Sequence, residues 1–205
     1  MRQLQLLVLI GSTKEHSSNQ KLVAFIKKEA AGLKMAGNSD TAPVYWEIFP
    51  ISKLPYFDPD LDKAAAGRLE KDAQQPVGTV PAAVGELRQK VAEADGILIC
   101  TPEYVFSLPG ILKNALEWLV STTVLTDKPM ALITAAASGE KAKESLELIV
   151  KTLGGQFDTT TSIRIQGVAG KFNSEGELAD AGTVQTLKDL LYSWFALMEL
   201  KQQAQ

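Results

Sequence analysis

A chain of 205 residues is slightly longer than one domain usually requires, and with 45% apolar and 22% charged residues it can bury a core rather than stay disordered. Its 21 Lys plus Arg against 24 Asp plus Glu leave a net charge of -3 without a basic block, which argues against a nucleic-acid-binding surface. The only cysteine, Cys100, excludes an internal disulfide or a Cys-x-x-Cys pair, and the only histidine, His16, excludes a His-rich zinc cage.

The apolar run Leu4 to Ile10 is too short to span a membrane and has no small-residue cleavage site, so no membrane association and a cytoplasmic location are expected. It reads as a buried strand closed by Gly11-Ser12. Leu22, Val23, Ile26 and Ala30 then repeat at helical spacing, with Lys21, Lys27, Lys28 and Glu29 off that face. Val44 to Phe49 predicts a second strand. Val84, Leu87 and Val91 predict a helix starting near Pro81, Gly96 to Thr101 a third strand, and Ile111, Leu112, Ala115, Leu116 and Leu119 the next helix. Pro129 to Ala135 predicts a fourth strand, and Leu146, Ile149, Val150 and Leu153 a helix stopped by Gly154-Gly155. Thr160 to Ile165 predicts a β-branched fifth strand, before a long last helix carrying Leu187, Leu190, Leu191, Trp194, Phe195 and Met198.

Five strands apolar on both faces, alternating with five helices, describe an α/β domain with a doubly wound parallel sheet, and residues 1–205 are expected to form that one domain. The stretch from Ile51 to Val80 fits neither period and, at about 30 residues, exceeds a normal connection, which suggests a functional or partner-facing excursion.

In such sheets ligands bind at the carboxyl ends of strands, where the strand order reverses. The loop after strand one, Gly11-Ser12-Thr13-Lys14-Glu15-His16-Ser17-Ser18-Asn19, is rich in hydroxyls and enters a helix directly. It suits a phosphate dianion at a helix N-terminus, or its Ser, Thr and Asn simply cap that helix; it is neither a Walker loop nor Gly-x-Gly-x-x-Gly. The loop after strand three, Thr101 to Gly110, is aromatic and polar and suits a flat-ligand platform or an ordinary proline turn.

These two loops carry a resemblance. The first resembles the Gly-Ser-x-Arg-x-x-Ser-x-Asn signature of the flavodoxin-like NADPH-dependent FMN reductases, a family of quinone, azo-dye and chromate reductases, at Gly11, Ser12, Ser17 or a close neighbour, and Asn19. The second resembles the family's Pro-Glu-Tyr-Asn-x-Ser-x-Pro-Gly-x-Leu-Lys-Asn-Ala-x-Asp-Trp at Pro102, Glu103, Tyr104, Ser107, Pro109, Gly110, Leu112, Lys113, Asn114, Ala115 and Trp118. Leu54 to Leu61 is similar to the family's segment after strand two. Lys14 stands where arginine is usual, Val105 where asparagine is usual, and the third loop, Ala136 to Lys141, is shorter and poorer in glycine.

The resemblance implies a flavodoxin-like sheet of order 2-1-3-4-5 and an enzyme that passes electrons from NADPH or NADH through FMN to a small-molecule acceptor: a quinone, an azo compound, a metal oxyanion or free flavin. It implies cofactor contacts at Gly11, Ser12, Thr13, Lys14, Ser17, Ser18, Asn19, Pro102, Glu103, Tyr104, Val105, Ser107, Ser138 and Gly139, with no catalytic side chain and no metal ligand, since FMN carries the redox chemistry. Glu103 is expected to act through its backbone and loop geometry, Tyr104 either against the flavin or in a structural turn, Cys100 as a buried core residue, Trp118 in core or subunit packing, and His16 as a solvated loop residue. A flavodoxin-like electron carrier and a non-catalytic redox sensor are the rival functions, and the weak negative charge favours the enzyme over the carrier. Leu54, Tyr56, Phe57, Leu61, Trp118 and Leu119 have no evident core to fill, so a homodimer or homotetramer is expected, with these groups at the interface.

Overall fold

The computed structural model describes residues 3–32, 43–63 and 80–203. Strands β1 (Leu4–Ile10), β2 (Val44–Phe49), β3 (Gly96–Thr101), β4 (Met130–Ala136) and β5 (Ser162–Gln166) form one parallel sheet in the order β2-β1-β3-β4-β5. Helices α1 (Ser18–Ala30), α2 (Pro59–Lys63), α3 (Ala82–Glu93), α4 (Gly110–Glu117), α5 (Glu140–Thr152) and α6 (Ala181–Gln203) connect the strands or follow them.

Side chains of a strand alternate between faces, so a strand covered on both sides must be apolar at every position. Leu7, Leu9, Ile97, Ile99 and Leu132 face α3, α4 and α5, where they meet Val84, Leu87, Leu112, Leu116, Leu146 and Val150. Leu6, Val8, Leu98, Cys100, Ala131 and Ile133 face α1 and α6, where they meet Leu22, Ile26, Leu187, Leu191 and Trp194. Each such buried aliphatic side chain contributes about 1.5–3 kcal/mol. The central strands β3 and β4 are buried throughout, whereas the edge strand β2 is buried fully only at Phe49.

Three boundaries differ from expectation. Pro129 precedes β4 and joins Gln156 only through an isolated bridge. Thr160 and Thr161 stay out of β5 because the Asp158 carboxylate accepts from both backbone N–H groups, at 2.7 and 3.1 Å, and holds them in a turn. Trp118 caps α4 rather than extending it.

The excursion after β2 begins with a 3₁₀ turn at Ile51–Lys53 that leads to the five-residue α2; residues 64–79 lie outside the described residues. The buried Asp62 carboxylate pairs with Arg88 on α3 and accepts from Ser121 Oγ at 2.8 Å, while Arg88 also donates to Trp118 O at 2.8 Å. Leu54, Phe57 and Leu61 therefore pack on the core of their own domain, and Trp118 and Leu119 are buried within it. The expected exposed cluster is thereby corrected: of its six members only Tyr56 is strongly exposed, at 93%.

Candidate functional site

The loops after β1, β3 and β4 gather at the carboxyl edge of the sheet, and β1 and β3 are the neighbours between which the strand order reverses. Gly11 starts the first loop with its N–H bonded to Cys100 O at 2.9 Å, so the chain leaves β1 pressed against β3. A Cβ at Gly11 would lie 2.2 Å from Thr101 Oγ1 and 2.8 Å from Thr101 Cβ, an approach that only glycine allows. Beyond it Ser12 is buried, and its Oγ accepts from Lys14 N at 3.4 Å. Thr13, Lys14, Glu15 and His16 face solvent, as expected for His16, which turns the chain with a φ of 53°.

The capping reading of this loop is met at Ser17. Ser17 is the N-cap of α1, its side chain accepting from Gln20 N at 3.2 Å. Asn19, 4% exposed, turns inward: its amide donates to Ala135 O at 3.5 Å, and its Oδ1 accepts from the Cys100 thiol at 3.3 Å. These two side chains shape the loop. The backbone N–H groups of Thr13, Glu15, His16 and Ser18 have no acceptor among the described residues, and the first turn of α1 holds no carboxylate to satisfy its positive end. Together with Lys14, exposed in the same loop, they could hold a phosphate.

The second loop is a tight two-residue turn. Tyr104 and Ser107 exchange both backbone hydrogen bonds at 3.0 Å, and the residues between them, Val105 and Phe106, have φ of 51° and 58°. This is the type I′ geometry that Asn-Gly adopts without strain and valine does not. Pro102 is buried at its entry, and Leu108 and Pro109 are buried at its exit, leaving Tyr104, Val105, Phe106 and Ser107 exposed.

Behind the turn, Asn114 accepts from Phe57 N at 2.7 Å and donates to Pro55 O at 2.9 Å, and the Trp118 indole donates to that same carbonyl at 2.9 Å. Phe57 meets the Trp118 ring edge-on at 5.1 Å. Asn114 and Trp118 thus form a seat for residues 55–57. Sequence reasoning left Asn114 without a role, although its place in the long motif was the available signal.

The third loop is bound to the second through Glu103. Its carboxylate accepts from Gly139 N at 3.1 Å and from Ala142 N at 3.0 Å, at the start of α5. The Ala142 amide foremost, then those of Gly139 and Lys141 and the nearby Arg164, hold the carboxyl below its ordinary value against a partial cost of burial. Glu103 thus shapes the loops, as expected, but does so with its side-chain carboxylate. It also engages the N–H of Gly139, a residue held at a φ of 85°, while Ser138 beside it stays half-buried.

Beneath this loop Thr134 Oγ1 is buried with no hydrogen-bond partner among the described residues. Burial pushes the Cys100 thiol up, consistent with a core residue rather than a nucleophile. No group of three metal-ligating side chains occurs among the described residues. The site thus offers a set of unengaged backbone donors, a rigid turn with an aromatic base and a tethered third loop. Those features suit a bound flavin mononucleotide that brings its own redox chemistry.

Comparison with known proteins agrees. The family described as NADPH-dependent FMN reductase matches residues 4–166. The chain is 34% identical over 152 residues to an NADPH:quinone oxidoreductase of Arabidopsis thaliana, covering 72% of this chain and 71% of that protein. It is 28% identical over 200 residues to the NADH:(hydroxy)cinnamate reductase subunit CrdA of Vibrio ruber, covering 95% and 87%. Among solved structures, the flavoenzyme NAD(P)H:(acceptor) oxidoreductase FerB of Paracoccus denitrificans shares the fold with a TM-score of 0.71 at 24% identity, covering 96% of this chain and 97% of that one. With the sheet order, the loop geometry and a family match that runs from β1 through β5, the chain belongs to the NADPH-dependent FMN reductase family.

Proposed function

We propose that this chain, acting as a single domain over residues 1–205, is an FMN-dependent oxidoreductase that uses NADPH or NADH to reduce a quinone-type small molecule. The observation that carries the reading is the set of unengaged N–H groups and Lys14 before α1, next to a second and third loop locked together by Glu103. The name of the Arabidopsis relative supports the acceptor class.

FMN, when bound, supplies hydride acceptance and onward electron transfer. The chain supplies placement. Ser12, Thr13, Lys14 and Ser18 meet the phosphate through amides, hydroxyls and the ammonium, with Gly11 giving the close approach and Ser17 and Asn19 fixing the loop. Pro102, Glu103, Tyr104, Val105 and Ser107 set the platform for the ring, and Ser138 and Gly139 border it. Both donor and acceptor use the exposed edge of this site, so their binding alternates.

The working form is a homodimer, the unit from which a tetramer would also be built. Support comes from a shallow apolar trough between α4 and α5 lined by Phe57, Leu116, Val120, Leu148, Ile149 and Leu153, in which Val120 and Leu148 are 56% and 68% exposed. The cytoplasm is its place of action, where nicotinamide donors are at hand; no helix among the described residues is long and apolar enough to cross a membrane.

The deciding experiment follows NADPH and NADH oxidation by the FMN-loaded protein with and without a benzoquinone, alongside FMN and riboflavin titrations. Acceptor-dependent oxidation and tighter binding of FMN than riboflavin are expected. A flavin that stays oxidised under both donors would return the electron-carrier reading, and equal affinity for the two flavins would remove the phosphate role of the first loop. Light scattering should give a multiple of 22.2 kDa; that single mass would refute the dimer.

A further inference from the structure

The tip of the second loop differs in character from the first loop. Tyr104, Val105 and Phe106 are 51%, 95% and 77% exposed, three apolar side chains in succession, whereas Thr13 to His16 present hydroxyl, ammonium, carboxylate and imidazole. Exposing such groups is unfavourable unless something covers them. Their backbone is strained as well, because Val105 and Phe106 both sit in the left-handed region and a β-branched residue tolerates it least.

Strain of this kind persists where the surroundings over-determine it, and it clusters at ligand clamps. Here the surroundings do so: two hydrogen bonds close the turn, Leu108 and Pro109 anchor its exit, and Glu103 fixes its entry to the start of α5. The tip is therefore a rigidly mounted lip at the sheet edge where the site lies. Val105 and Phe106 together offer on the order of 300 Å². That is well short of the roughly 800 Å² per partner of a stable protein interface, but it suits a short alkyl chain.

Resting on the quinone-reductase reading, we propose that Phe106, with Val105 beside it, forms an apolar lip that selects acceptors bearing an apolar chain on the quinone ring over compact hydrophilic ones. Any such chain reaches the lip only when its ring enters the site, so the lip acts on specificity and not on the redox step.

The test compares the FMN-loaded wild-type protein with Phe106→Asn, which suits left-handed backbone but removes the apolar surface, and Phe106→Leu, which keeps it. The acceptors are benzoquinone and the same ring with a decyl chain. Phe106→Asn should lower kcat/KM for the decyl quinone about tenfold, the scale of losing a small apolar contact in a specificity pocket. It should move benzoquinone less than about twofold, and Phe106→Leu should restore the preference. A second arm measures, by calorimetry, binding of a decyl-substituted dimethoxybenzene, which is redox-silent, and the same roughly tenfold weakening is expected.

Equal losses for both quinones, no loss for either, or unchanged dimethoxybenzene binding would overturn the lip. A shift of Phe106→Asn to a smaller mass would overturn it too, in favour of a subunit contact. If wild type reduces neither quinone, the function reading fails, while the calorimetric arm still decides the lip.

Discussion

Replacing Glu103 by glutamine tests whether the second and third loops work as one unit. The carboxylate accepts two backbone hydrogen bonds, at 3.1 and 3.0 Å. A bond to a charged acceptor contributes about 1.5–3 kcal/mol. Glutamine keeps one acceptor oxygen and turns an NH₂ donor toward the second N–H, so one bond is lost and the other weakened. The group is partly open to solvent, which screens it. The net loss in Glu103→Gln should be about 1–2 kcal/mol of folding stability at pH 7.

Because the folded state holds this carboxyl below its ordinary value, its stabilisation is present above about pH 4.3, the unfolded glutamate value, and fades as pH falls through the lower folded value. Urea melts of wild type and variant should therefore differ at pH 7 and converge in acid. FMN affinity should fall about tenfold, since the platform for the ring loses its tie to α5; that equals roughly 1.4 kcal/mol. Equal midpoints at pH 7 with an unchanged FMN Kd, or a gap that widens in acid, would refute the reasoning.

Gly11→Ala should lose more than about 2 kcal/mol by overpacking against Thr101 and abolish FMN binding, and wild-type urea stability would sink the close-approach argument. Asn19→Ala should cost about 1–2 kcal/mol of stability, since it removes a buried side-chain donor to Ala135 O and one of the two acceptors of the Cys100 thiol, yet change FMN affinity less than it changes stability. A large Kd effect in a fully stable Asn19→Ala protein would place that amide on the phosphate instead. Cys100, buried and with its thiol pushed up, should resist a maleimide at pH 8 until the protein is unfolded; stoichiometric labelling of the native state would contradict that assignment.

Residue type and period made the sheet legible, because the strands from Leu4, Gly96 and Met130 are buried on both faces and so read as unbroken aliphatic runs. Boundaries were lost where a side chain intervened: Thr160 has strand propensity, but Asp158 captures it locally. The three loops of the candidate site were legible from position and motif. The direction of each side chain was not, since nothing in the order of residues shows that Asn19 points into the core or that Glu103 reaches α5. Phe57 and Trp118 read as surplus apolar groups for a related reason: the seat they share with Asn114 and Pro55 joins segments about 60 residues apart, invisible to any local window.

Helix α6 is keyed into the middle of the sheet. Trp194 donates to Pro129 O at 3.1 Å and, with Met198, fills the space over Gly96, where a Cβ would lie 2.6 Å from Met198 Sδ. The face it completes is the one shared with α1, so closing that half of the core brings α1 and α6 together. Because α1 precedes β3 it can cover Leu98 and Cys100 early, whereas Ala131 and Ile133 on β4 stay open until α6 docks. An intermediate in which α6 has not docked thus carries an adhesive patch over β4, a route to aggregation during folding.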